Sequence, residues 1–326
     1  MTDAQYEQTI TQGMHDSLQS DLDALVQATT ALQAAAPDHP WNDGDGAYDA
    51  MQTAWINARH AYEHIEGATA PVFPDIDLSL DGRVEDFGPD GSGALTASSD
   101  MFGNLGMTGM HAIERILYVT TTPPAVVAYE TGLGYVPPQS FPTTQQEADE
   151  FKNKLCVQAM TDATRLQQGW HPAVPDIGSA FQGLVSLMNE QKEKVTKAGL
   201  DQEESRYSQR TMDDLRQNLT GTTTIYALFR PWIQSKPGGA AVDGQVEAGF
   251  QDLATIYNSA PYQGNALPTP PADWDDANPS AADLQTTFGK LYATVQAAVN
   301  PTAAGSVVFE MNTAASLCQL PQFDGG

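Results

Sequence analysis

Between breaks rich in proline and glycine, apolar residues return at every third or fourth position over long stretches of this chain. That rhythm follows the turn of an α-helix and not the two-residue repeat of a strand, so it commits the fold before any motif is considered. Helices are expected over about 3–36, 46–68, 98–120, 144–170, 176–198, 205–235, 241–259, 280–299 and 302–319. The intervening breaks fall at 37–46, 69–97, 121–143, 236–240 and 260–279. Short strand-like runs at 125–129 and 306–309 are too isolated to make a sheet. The expected class is all-α. So many helices exceed one four-helix bundle, which predicts two packed four-helix-bundle-like domains, residues 1–171 and 172–326. The segments 120–144 and 260–280 are too long for tight turns, a length typical of functional or loosely ordered loops.

Charge narrows the partners. Asp and Glu number 41 against 15 Lys and Arg, a formal net charge of −26. Such a surface excludes nucleic acid and anionic membranes as partners and suits a cation. No apolar run is long enough to span a bilayer, so the chain is not expected to be an integral membrane protein. Residues 1–20 are polar and amphipathic, without the basic start and apolar stretch of a signal peptide. Cys156 and Cys318 lack metal-binding spacing, and sequence does not fix whether they pair. Motifs for a serine nucleophile (GxSxG), a zincin (HExxH) and a phosphate loop are all missing.

The informative residues are charges set within apolar faces. Wound as a helix, the stretch around 103–118 gathers Gly103, Met107, Met110, Glu114, Leu117 and Tyr118 on one side, with Ile113 and His111 at its margins. A carboxylate centred on such a stripe is costly unless it is paired, protonated or metal-bound. His111 lies three residues before Glu114, so the two can converge on one ion. The HxxE spacing alone is common on solvated faces; its apolar setting gives it weight. The helix over 48–67 does the same, with Tyr48, Met51, Trp55, Arg59, Tyr62 and Glu66 sharing a face and Glu63 at its edge. Either Arg59 pairs internally with Glu63 or Glu66, or the two glutamates face His111 and Glu114 as a carboxylate–histidine metal cluster, with Arg59 balancing charge. His60 and His64 project to the opposite side and are expected to be solvated. Asp75, Asp77, Asp81, Glu85 and Asp86 make an acidic loop that is not an EF-hand and from which one or two carboxylates can reach the site.

These residues resemble a known family. "TGMHAIERILY" is similar to the GxHxxE signature of the imelysin-like proteins, with Gly109, His111 and Glu114 in the fixed places. "YEHIEGATAPVFPDIDLSLDGRVEDF" resembles the YExIE and aspartate-rich stretch of the EfeO/EfeM-type iron-uptake branch, through Tyr62, Glu63, Glu66, Asp77, Asp81, Arg83 and Asp86. "RYSQRTMDDLRQNLTG" resembles a later YSHxDLxDFxxNxxG segment at Tyr207, Ser208, Asp214, Asn218 and Gly221. It departs from that branch at Gln209, where histidine is usual, and at Thr211, where aspartate is usual. The chain resembles the members built of bundles alone, without a cupredoxin-like domain.

The resemblance implies two helical bundles and a periplasmic or outer-surface location, with a signal peptide or lipoprotein leader removed. It implies a metal site held by His111, Glu114, Glu63, Glu66 and Asp81, with Arg59, Asp214 and Asn218 supporting it. Asp214 and Asn218 serve equally well as a buried hydrogen-bonding pair between helices. The oxygen-rich donor set fits iron as the metal, with zinc or copper as alternatives. The expected function is a metal-binding component of iron uptake or homeostasis, with an inner-membrane iron permease or another uptake component as partner. The alternatives are an imelysin-type metallopeptidase acting through a metal-bound water, as the insulin cleavage first ascribed to the family implies, and an extracellular ligand-binding module.

Overall fold

Helix α1 (Asp3–Ala35) starts where Thr2 closes a capping box with Gln5, satisfying two amide groups that the first turn leaves free. Its buried side, Ile10, Met14, Leu18, Leu22 and Leu25, runs along α2 (Ala47–Thr69) and α8 (Cys156–Trp170). α8 continues α7 (Gln145–Glu150) through a π-helical turn at Phe151–Leu155. The structure, a computed structural model, describes residues 1–41, 46–87, 102–133 and 140–323. Short helices α3 (Pro74–Asp81), α4 (Val84–Phe87), α5 (Gly109–Leu117) and α6 (Pro124–Gly132) lie between α2 and α7, and α3 and α5 close the first bundle against α8 and α2. The second bundle combines α9 (Ile177–Ala198), α10 (Thr211–Gln234), α11 (Gly239–Tyr257), α12 (Thr287–Ala298) and α13 (Val307–Leu317). Among the described residues there is no strand, and the class is all-α.

The bundles meet on α2, which packs against both α9 and α10, and the apolar core runs through both without interruption. Close approach to α10 depends on Gly221. A methyl group there would lie 2.2 Å from the His64 carbonyl oxygen, so only glycine lets the two backbones touch. That contact aims Asp214 and Asn218, on the turns before Gly221, at the charged side of α2.

Several element ends differ from the sequence expectation, each for a local reason. Of the helix expected over 98–120, residues 98–101 lie outside the described residues, and only Gly109–Leu117 is helical. Gly106 and Gly109, at φ 128° and 79°, hold conformations that an α-helix does not contain. The strand-like run at 125–129 is helical, because Pro124 sits at the first helical position, where its missing amide hydrogen costs nothing. α10 begins at Thr211 rather than 205, and Gln209 just before it has a φ of 56°. Both cysteines are free and buried.

Candidate metal centre

The site assembles where α2, the end of α3, α5 and the segment just before α10 converge. α5 is buried on every side rather than along one stripe. The Trp55 indole on α2 donates to the Met110 carbonyl at 2.9 Å, and Thr108 Oγ1 donates to the Ser79 carbonyl at 3.1 Å. Gly109 lets α5 start directly on the end of α3; a Cβ there would stand 2.3 Å from the Leu80 oxygen and 2.4 Å from the Ser79 oxygen. The glycine of the motif thus brings Asp81 beside His111.

His111 Nδ1 lies 2.9 Å from Glu114 Oε2, and Glu114 Oε1 accepts the Ser208 amide at 2.8 Å. An ionised carboxylate only accepts, so this contact puts a proton on Nδ1. Nε2 is buried and has no hydrogen-bond partner. It faces Asp81 Oδ1 at 3.4 Å and Glu204 Oε1 at 3.6 Å. Asp81, His111 and Glu204 offer donor atoms within 4.8 Å of one another, as do Glu63, Glu66 and Asp81. The two trios share Asp81. A buried imidazole nitrogen that makes no hydrogen bond, with two carboxylate oxygens at 3.4 and 3.6 Å, is a donor set that fits a transition-metal cation.

Arg59 occupies the middle of these carboxylates. Its guanidinium contacts Glu63 and Asp81, and reaches Glu204 Oε1 at 3.0 Å and Asp214 Oδ1 at 3.3 Å. The internal Arg59–Glu63 pair is therefore present, but as one arm of a larger network. Lys194 on α9 adds a second buried cation, 2.9 Å from Asn218 Oδ1, 3.5 Å from Glu63 and 3.7 Å from Glu204 Oε2. Burial works against the Glu204 charge, but Lys194 and Arg83 overcome it and hold its carboxyl well below the usual range. Burial and the Arg59 charge oppose protonation of His111, yet contacts with Glu114 and Glu204 raise its pKa.

Asn218 Nδ2 donates to the Glu63 carbonyl at 3.2 Å and to Glu66 Oε2 at 2.9 Å, and Asp214 accepts from Ser205 Oγ at 2.6 Å. Both residues tie α10 to the cluster through hydrogen bonds. Glu66 and Asp77 face a cleft of about 210 Å³ whose floor includes Asp81, Glu204 and Lys194. Burial pushes the Asp77 carboxyl up to about 6 and Glu190, on the same cleft, up to about 7. The acidic loop is thus a pair of short helices that turn Asp77 and Asp81 inward. His60 and His64 are half-buried rather than solvated: His60 Nε2 meets Asp213 at 2.8 Å and His64 Nε2 meets Gln217 at 2.7 Å.

Glu204 and Lys194 are the two site residues that sequence reasoning left out. Arg206, two residues after Glu204, is buried and anchors this segment through a bidentate pair with Glu85 on α4 at 2.8 and 3.1 Å. Burial raises the Glu85 pKa, but Arg206 outweighs it and the net shift is downward from 4.5. A lowered folded-state pKa stabilises above the unfolded value and loses that contribution as pH falls through the folded one. Glu85→Gln is therefore expected to cost about 2 kcal/mol near neutral pH, since it strands the Arg206 charge while leaving Glu85's own position partly solvated. The gap from the parent protein should close in acid, below 4.5. Urea denaturation at neutral and acid pH checks this, and an equal gap at both would remove the ion pair from the account.

Comparisons with known proteins bear on the family and the fold. The imelysin family profile matches residues 10–264. The iron uptake system component EfeO of Escherichia coli O157:H7 is 24% identical over 211 residues, covering 65% of this chain and 44% of that protein. The EfeO of Shigella flexneri shows the same 24% identity over 211 residues. The chain therefore spans less than half the length of these relatives. The crystal structure of an imelysin-like protein from Psychrobacter arcticum 273-4 superposes with a TM-score of 0.62 at 10% identity, over 98% of this chain and 97% of that one. With its helical architecture and a profile match over most of its length, the chain belongs to the imelysin family.

Proposed function

We propose that this protein captures an iron ion as cargo for an uptake system outside the cytoplasmic membrane. The observation that carries this reading is the buried His111 Nε2, which makes no hydrogen bond and faces Asp81 and Glu204, two carboxylates that also line an acidic cleft. His111 Nε2, Asp81 and Glu204 bind the ion, with Glu63 and Glu66 on its carboxylate side. Glu114 orients the imidazole, as carboxylates do behind metal-bound histidines. A cleft of about 210 Å³ lined by Glu66, Asp77, Asp81 and Glu204 has the size and charge to admit a partly hydrated cation. The net charge of −26 draws cations toward it. EfeO is named as a component of an iron uptake system, and by analogy this chain passes its ion to an inner-membrane permease or another uptake component.

Calorimetric titration with ferrous, ferric, zinc and copper ions tests the reading. Saturable binding of iron is expected, with a rise in thermal stability on loading. Glu114→Gln provides a second arm. Glutamine has one acceptor oxygen and cannot serve both the His111 ring and the Ser208 amide. Its affinity should fall by roughly 10–100-fold, the usual cost of losing an orienting partner. Absence of saturable binding for every ion would falsify the proposal.

A further inference from the structure

We infer that Arg59 is an internal competitor for the cargo cation, an inference that rests on the metal-binding reading above. Most buried arginines in a carboxylate cluster simply neutralise it. Arg59 differs in which oxygen atoms it uses. Its two terminal nitrogens contact Asp81 Oδ1 and Glu204 Oε1, and these same two oxygens face the free His111 Nε2. A metal ion holds its donors at about 2.0–2.2 Å. An ion bound to these oxygens would therefore sit in near contact with a guanidinium bound to the same atoms. Two cations so close repel strongly in a site that is nearly closed to water.

The network supplies somewhere for the guanidinium to go. Arg59 also contacts Glu63, its neighbour one turn along α2, and its Nε lies 3.3 Å from Asp214 Oδ1. Both carboxylates lie outside the Asp81–His111–Glu204 trio, and Asp214 lies outside the Glu63–Glu66–Asp81 trio as well, so it is the partner clear of the ion. Arg59 can therefore release Asp81 and Glu204 while remaining paired and buried. Loading becomes an exchange of one cation for another. The ion-free site never holds an uncompensated acidic cluster, and affinity is held below what the donor set alone would give. A protein that must hand its ion onward needs that restraint. On release, the guanidinium returns to the vacated oxygens and displaces the ion from behind.

This makes a prediction of opposite sign to a supporting role. If Arg59 merely helped hold the site together, removing it would weaken binding. As a competitor, Arg59→Gln should tighten iron binding by about tenfold or more, even as it lowers the thermal stability of the ion-free protein. Lys194→Met is the control for charge alone. Lys194 is also buried and cationic, but it approaches Glu204 through Oε2, at 3.7 Å, and does not touch the oxygens that face His111. Calorimetric titration of iron into the parent protein and both variants should show a larger gain for Arg59→Gln than for Lys194→Met. Equal gains, no gain, or weaker binding in Arg59→Gln overturns the competitor role and leaves the metal site standing. No binding by any of the three proteins removes the metal site itself. A crystal structure of the iron-loaded parent protein tests the same point without a variant. The guanidinium should have left Asp81 Oδ1 and Glu204 Oε1, and finding it still bonded to both beside a bound ion also overturns the inference.

Discussion

Replacing His111 by alanine is expected to abolish stoichiometric metal binding, a loss exceeding the roughly 10–100-fold expected for Glu114→Gln. The ranking follows from the two ring nitrogens. Nδ1 is committed to Glu114, and only Nε2 faces the carboxylates of Asp81 and Glu204. Removing Glu114 loosens a donor that is still present, whereas removing His111 deletes the only nitrogen in the trio. The ion-free variant should also be less stable by about 2 kcal/mol, because Glu114 is fully buried and loses one of its two partners. That penalty is small enough for the protein to fold, so the titration stays interpretable. Asp81→Asn, which keeps shape and removes charge, should show a large loss of affinity as well. Metal content of both variants by elemental analysis after equilibrium dialysis decides the matter. If His111→Ala retains the parent's metal, the ion binds elsewhere; if it matches Glu114→Gln, the separation of binding from orienting roles is wrong.

How much of this was legible in the sequence depends on whether the cause was local. The all-α class was, because a 3.6-residue period is written into each helix separately. The charges on α2 and α5 were legible for a related reason: Arg59, Glu63, Glu66, His111 and Glu114 interrupt faces that are otherwise apolar, and the structure gathers all five around one cluster. Their detailed roles were not. Glu114 is central on the helical wheel, yet it bonds behind the imidazole while Nε2 looks the other way. Glu204 lies in a segment without regular structure, where periodicity assigns no face. Lys194 was hidden for another reason. It is one of several charges near the end of α9, among Glu190, Lys192, Glu193 and Lys197, and only its position beside Gln191 on the buried side distinguishes it. The element end set by the positive φ of Gly109 depends on its approach to Ser79 and Leu80, a distant segment that a local pattern does not contain.

Gly109 concentrates that last point into one residue, and Gly109→Ala should be among the most damaging small substitutions in the chain. Two costs add. A φ of 79° is unfavourable for a residue with a Cβ by about 1–2 kcal/mol. The new methyl would also stand 2.3 Å from the Leu80 oxygen and 2.4 Å from the Ser79 oxygen. These are backbone atoms, which cannot swing aside as the tip of a side chain can, so the start of α5 and the end of α3 must separate. Destabilisation on the order of 3 kcal/mol is expected. The displacement is delivered where it matters, because Asp81 follows Leu80 directly and His111 is two residues beyond Gly109. Widening their 3.4 Å approach should lower iron affinity by roughly 10–100-fold, the cost of losing the support that places a metal ligand. Gly244→Ala on α11 is the matched control. A Cβ at Gly244 would have nothing within 4 Å, and replacing a mid-helix glycine by alanine should stabilise by about 1 kcal/mol. Thermal denaturation and iron titration of the two variants should therefore diverge in sign of stability and differ sharply in affinity. Parent-like behaviour of Gly109→Ala in both assays would mean that the motif's glycine does not set the distance between Asp81 and His111.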